Sequence, residues 1–372
     1  MGGKTDAKGR KRKAMSAKRS NYISVINVIS ALAVVILHAN SSFWSYSKDS
    51  YWGVANVIET VFYFAVPMFF MMTGATLIDY RKRYTTKTYF KKRFFKTVIP
   101  FLAWSVFALL WKYRKTLWAM VTGAPNNGLD WTFNSIVDGI LNTKFQSIYW
   151  FFVPLFCIYL VIPFFAAIEE KKRIKIYTYA IIASTVLNYA IPFLMGVLGK
   201  YAEFKMYSTY TFFPAHQYLI YVLLGYVLHK KELRLKYRVM IYISSVIGLL
   251  AHLLGTYFAS RAEGAVIGTF KGYYALPCLM YSAGVYLFLK NVSSRIKSEK
   301  VNRFFSWFQS YTFPIYLIHR YFLDVFEENI HFINLPRASL LYVVGATVLA
   351  LLLSVLTTML LRKIPLLRRI VP

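Results

Sequence analysis

Ionisable side chains are scarce inside the long apolar runs of this chain, and the few present are of the kinds that move protons. His38 closes the run from Tyr22 to His38, Glu59 lies inside the next, His252 inside a later one, and His319, Arg320 and Asp324 inside another. A titratable group in such surroundings is expensive, which makes each a site candidate. A histidine beside a carboxylate can act as a general base toward a hydroxyl, the carboxylate orienting the ring and stabilising its charged form. His38 with Glu59 is the pair expected to do this. Two blander roles stand beside it: His38 as an interfacial side chain reaching for headgroup water, and Glu59 as a carboxylate extended toward the membrane surface. Asn27 stands eleven residues before His38, so on a straight helix the two differ by only about 20° in direction and about 16 Å in height. They share a face. Arg320 and Asp324, four apart, are expected to pair with each other.

Other uses of these residue types are weaker. No two histidines have the i, i+4 spacing of a helical metal motif, and no GxSxG turn marks a serine hydrolase, so no metal is expected. Cys157 and Cys278 each lie in apolar runs and read as small buried hydrophobes.

The elements that carry these groups follow from composition. At 57% hydrophobic and 19% aromatic residues, with a net charge of +30, the 372-residue chain is expected to be an all-α polytopic membrane protein rather than a soluble globule. Its charge need not mean nucleic acid. The cations cluster between apolar runs instead of forming a soluble basic face, so membrane lipid and not nucleic acid is the expected partner. About ten transmembrane helices are expected, the first at residues 22–38 and the others near 54–78, 97–111, 148–168, 176–198, 214–229, 239–258, 270–289, 305–324 and 338–361. Alternate connections then divide the Lys and Arg residues 34 to 11 and the acidic residues six to nine. The resulting +28 against +2 places both termini in the cytoplasm.

In that orientation His38, Glu59, His216, His252, His319, Arg320 and Asp324 converge toward the outer end, and a polar chamber open to the outside is expected. His229 alone among the assigned histidines lies at the inner end. Residues 1–20 carry eight Lys and Arg and read as a disordered cytoplasmic tail, followed by one membrane-embedded domain over 21–372. The stretch from Lys112 to Ser147, with turn signals at Gly123 and at Asn126 to Gly128, reads as a long outer loop, either a lid or a connector. Arg93 and Lys96, three apart where the third span enters the membrane, could hold phosphates.

Several segments together resemble the integral-membrane acyltransferase family 3. They are the first span ending in His38, VPMFFMMTG at 66–74, KRFFKTVIP at 92–100, YWFFVPL at 149–155, YLIYVLLGY at 218–226 and SYTFPIYLIH at 310–319. They occur in the family's order along almost the whole chain. The resemblance implies an acyl-coenzyme A donor, acetyl as first guess, used from the cytoplasmic side of the plasma membrane. It implies a sugar hydroxyl of a surface or secreted glycan as acceptor. The family's first motif places a basic residue eleven before the histidine, where this chain has Asn27. Its second, two arginines three apart, appears as Arg93 and Lys96.

On that resemblance His38 and Glu59 are the expected catalytic residues. Arg93, Lys96 and Asn27 are expected to bind the donor, and His319, His216 and Arg320 the acceptor. With Pro372 soon after the last span, the chain is similar to the stand-alone members that modify exopolysaccharide intermediates. A transporter or flippase of a glycan or lipid intermediate is the competing class. It calls for a polar pathway reaching both sides, whereas here the titratable groups gather outside and the cations inside.

Overall fold

A computed structural model describes residues 22–123, 132–199, 211–329 and 339–372, and these are helical throughout, with no strand. Residues 1–20, and with them the tail expectation, lie outside the described residues. Seven helices are long and apolar enough to cross a membrane: Tyr22–Ala39, Ser50–Lys82, Thr86–Lys112, Ser147–Ala167, Glu170–Leu198, Leu235–Glu263 and Leu340–Lys363. The other three expected spans are also helices, but short or mixed in character. Leu219–Lys230 has only 12 residues. Leu276–Ser293 has 18, and the 30-residue Glu299–Glu328 is interrupted by Gln309, Ser310, Thr312, His319 and Arg320.

Contacts within the chain group it into two compact units, residues 1–78 with 168–354 and residues 79–167 with 355–372. In the first unit we label Tyr22–Ala39 α1, Ser50–Phe62 α2, Ala65–Leu77 α3, Leu219–Lys230 α4, Leu235–Glu263 α5, Leu276–Ser293 α6 and Glu299–Glu328 α7. α1 contains no glycine or proline and ends at Asn40, whose backbone leaves the helical region (φ −83°, ψ 36°). The Asn40 side chain then donates to Ala55 O (2.9 Å) and Trp52 Nε1 to Phe43 O (2.8 Å), which ties the turn after α1 to α2. Pro67 explains why the second span breaks into α2 and α3. Lacking an N–H, it cannot bond the carbonyl of Tyr63, and the chain turns at Tyr63 and Phe64.

Small residues set the closest crossings. A Cβ on Gly74 of α3 would lie 1.8 Å from Val222 O, and one on Gly225 of α4 would lie 2.0 Å from Met71 O, so two backbones meet where side chains would keep them apart. Gly248 and Gly284 allow the same approach between α5 and α6. Helix directions can be read from paired contacts. Ser24 meets Gln309 and His38 meets His319, so α1 and α7 run parallel. Trp52 meets Tyr257 and Asn56 meets Leu253, so α2 and α5 run antiparallel.

The second unit corrects one expectation. The segment from Lys112 to Ser147 is no plain loop, because Arg114–Thr122 and Phe133–Leu141 are helices. Gly123 ends the first with φ 72°, a left-handed conformation that glycine adopts without strain. Thr132 caps the start of the second through Ser135 N, and Lys144 reaches Asp138 at 2.5 Å beyond its end. Asn126 to Gly128 lie outside the described residues. Thr86–Arg93 continues into a wide π turn at Phe94–Val98 just before Pro100. In the first unit a second π turn, Thr185–Ala190, precedes Pro192 in the same way. In each case the proline has no N–H for the carbonyl four residues back, and the helix bonds over five residues instead. The charged segment 169–173, expected to stop the fourth span, opens the next helix with Glu169 as its N-cap residue.

Candidate functional site

The imidazole of His38 sits at the last turn but one of α1, half-buried, and its Nδ1 lies 2.7 Å from Nε2 of His319 on α7. The two ring planes are within 11° of each other. His319 is fully buried, and its Nδ1 lies 2.7 Å from the carbonyl of Ile315, one turn earlier. Nε2 of His38 has no hydrogen-bond partner among the described residues. One residue beyond His319, Arg320 gathers the same region. Its Nε donates to Asp324 (2.7 Å), its two terminal nitrogens to Glu327 (3.0 and 3.3 Å), and Nη1 also to the backbone carbonyl of His38 (3.4 Å). The expected Arg320 to Asp324 pair is present, with Glu327 as an additional partner that the four-residue spacing did not suggest.

Glu59 does not reach His38, which corrects the expected pairing. Its Oε1 instead forms an ion pair with Lys271 at 3.0 Å, both side chains about 4% exposed. The Lys271 ammonium lies 4.2 Å from the ring centres of Trp44 and Tyr63 and 5.0 Å from that of Phe43. Aromatic faces of this kind compensate part of a buried cation's lost hydration. Gly272, at φ 152°, lets the chain turn away directly after Lys271. Tyr63 in turn stacks on Tyr273 (4.6 Å) and meets the edge of His252 (5.1 Å). His252 is fully buried, and neither its ring nitrogens nor Glu59 Oε2 have a hydrogen-bond partner. Sequence reasoning passed over Lys271. The signal was available, since a carboxylate inside the membrane demands an opposite charge and only 11 Lys and Arg fall on the outer side.

The remaining candidates divide. His319 and Arg320, expected to touch substrate, are committed to protein partners, so both shape the surroundings of His38. His216 lies in extended chain before α4, half-buried, with Nδ1 unpartnered and Phe213 as its ring neighbour (6.4 Å). No hydrogen bond or ring contact joins it to the His38 pair. Asn27 shares α1 with His38, as expected, and makes no hydrogen bond among the described residues. His229 is occupied at the opposite end of α1, where the Tyr22 hydroxyl bonds its Nδ1.

Arg93 and Lys96 belong to the second unit. Arg93 lies over the ring of Tyr159 (5.6 Å) with Nε buried and unpartnered, while Lys96 is exposed on the π turn. The wide turn separates them by a shorter arc of helix than their spacing implies in a regular one.

What this arrangement offers is a part-exposed imidazole with one nitrogen anchored and the other open, backed by a buried second histidine. Such a group can take and return a proton at a hydroxyl. Among the described residues no three His, Cys, Asp or Glu side chains gather as a metal site. No curated protein and no solved structure matches the chain. A family match does exist and covers nearly the whole length: residues 20–359 correspond to the acyltransferase domain of the acyltransferase 3 family, and the chain, an acyltransferase of the membrane, therefore belongs to that family.

Proposed function

We propose that this acyltransferase moves an acyl group, acetyl first among the candidates, from acyl-coenzyme A to a sugar hydroxyl of a surface or secreted glycan, with His38 as general base. One observation carries the assignment: His38 is the half-buried histidine whose Nδ1 is anchored at 2.7 Å while its other ring nitrogen is open. In the reaction that nitrogen takes the hydroxyl proton as the sugar oxygen bonds to the thioester carbonyl carbon. The carbon–sulfur bond then breaks, and the leaving thiolate takes the proton back from His38. Ester and free thiol form, and the histidine is regenerated. Arg93 and Lys96 supply charge for the donor's phosphates, Asn27 lines the donor's path along α1, and His216 remains an acceptor-side candidate.

The protein is placed in the plasma membrane with ten crossings and cytoplasmic termini. The +28 against +2 charge division supports this, and so do the helix directions. Parallel α1 with α7 and antiparallel α2 with α5 are the relations that first with ninth and second with seventh crossings require.

The test is transfer of an acyl group to a glycan acceptor by the purified protein in nanodiscs, read as ester mass and as free thiol released. His38→Ala should lose at least about 10² to 10⁴ fold in rate with donor affinity nearly unchanged. Full transfer by that variant would return His38 to an interfacial role.

A further inference from the structure

We propose that His319 is a positioning residue which fixes the tautomer of His38, placing the proton on Nδ1 and leaving Nε2 as the open lone pair. The argument runs along three atoms. Ile315 O can only accept, so Nδ1 of His319, 2.7 Å away, carries a hydrogen. His319 is fully buried, and a buried imidazole kept neutral avoids the cost of an extra charge beside Arg320. A neutral ring has one N–H, so Nε2 of His319 is a lone pair and must accept. Its partner at 2.7 Å is Nδ1 of His38, which therefore donates. The 11° angle between the rings suits an in-plane N–H···N bond of this kind.

Nε2 of His38 is then the only unprotonated nitrogen of the two rings that has no partner. When it takes a proton, the Nδ1–H bond to His319 becomes charge-assisted and stronger, which stabilises the charged ring without a carboxylate. Glu59, the carboxylate that sequence alone would assign to this task, is held by Lys271. Arg320 fixes the other half of the geometry: it reaches the carbonyl of His38 from the residue next to His319, so ring and backbone of His38 are held by consecutive positions of α7. The catalytic use of Nε2 rests on the reading of His38 as base; the tautomer does not.

The experiment is nitrogen NMR of the full-length protein in nanodiscs with ¹⁵N-labelled histidine, the His38 signals assigned by their loss in His38→Gln. The expected spectrum shows His38 protonated at Nδ1 and bare at Nε2. In His319→Phe, which keeps a ring and removes the acceptor, the His38 signals should shift toward the Nε2-protonated form. In the same variant kcat should fall between about 10 and 10⁴ fold with the donor KM little changed, and His319→Asn, which restores an acceptor oxygen, should recover part of the loss. Should His319→Phe fail to fold, the wild-type spectrum still decides. A wild-type His38 protonated at Nε2, or an unchanged tautomer in folded His319→Phe, overturns the proposal. Full transfer by His38→Ala together with the expected spectrum would overturn the base assignment alone.

Discussion

Replacing Lys271 by Met deletes an ammonium that is about 4% exposed and 3.0 Å from a carboxylate equally buried, while keeping a side chain of similar length. At an effective dielectric near 20, two unit charges at that separation attract by roughly 5 kcal/mol, most of it offset by the hydration both lost on burial. The net worth of the pair is therefore small. The cost of breaking it is not: Glu59 would remain buried with its partner gone, a loss of about 3 to 5 kcal/mol. Glu59→Gln should cost less, because the orphaned Lys271 still faces Trp44, Tyr63 and Phe43, and each such face contributes about 0.5 to 2 kcal/mol. The double variant carries neither charge and should regain at least half of the larger single loss, a coupling of about 2 kcal/mol or more. Thermal unfolding of the four proteins in one detergent, with the melting order read rather than absolute free energies, is the assay. The expected order is wild type and double variant highest, Glu59→Gln below them, and Lys271→Met lowest. If Lys271→Met melts with the wild type, or if the double variant loses the sum of the two singles, the pair is solvated and the reasoning fails.

Gly74→Ala and Gly225→Ala each place a methyl within about 2 Å of a backbone carbonyl, so each should destabilise by at least the 1 to 3 kcal/mol typical of overpacking; unfolding midpoints equal to the wild type would refute the close crossing of α3 and α4. Arg93→Ala with Lys96→Ala should weaken binding of acyl-coenzyme A to the folded protein, by less as salt rises, and unchanged affinity in a filter or calorimetric titration would move the donor elsewhere. Single cysteines introduced into the helices Arg114–Thr122 and Phe133–Leu141 should react with an impermeant reagent added outside intact cells, whereas cysteines in either tail should not; tails that label reverse the orientation.

How far the sequence carried the reading depends on the coordinate asked for. Depth along a span was legible, because a helix rises a fixed amount per residue, and His38 and His319 were expected at one level before they were seen to touch. Rotation about each helix axis was not. Glu59 lies at a comparable depth and still turns toward Lys271, because the turn after α1 is pinned by Asn40 and Trp52 and because Lys271 comes from a connection some two hundred residues later. Family likeness could not supply that rotation either, since Asn27 and Lys271 lie outside the matching segments that named His38. The helix Phe133–Leu141 was legible and passed over: Phe133, Ile136, Val137, Ile140 and Leu141 repeat at three and four. Attention to Gly123 and the asparagine turn signals hid that periodicity.

The two π turns bear on how such a chain can change length over generations. Each wide turn is the trace a helix keeps when it takes in one residue without breaking, and each sits before a proline that had already left a carbonyl free. Deleting one residue from Phe94–Val98 would return the helix to a regular count and rotate everything after it by about 100° relative to everything before. The helix would survive while Arg93 lost its bearing on the residues that follow. Insertions and deletions at these two points are thus a means of re-aiming half a helix in a single step, which no substitution can do.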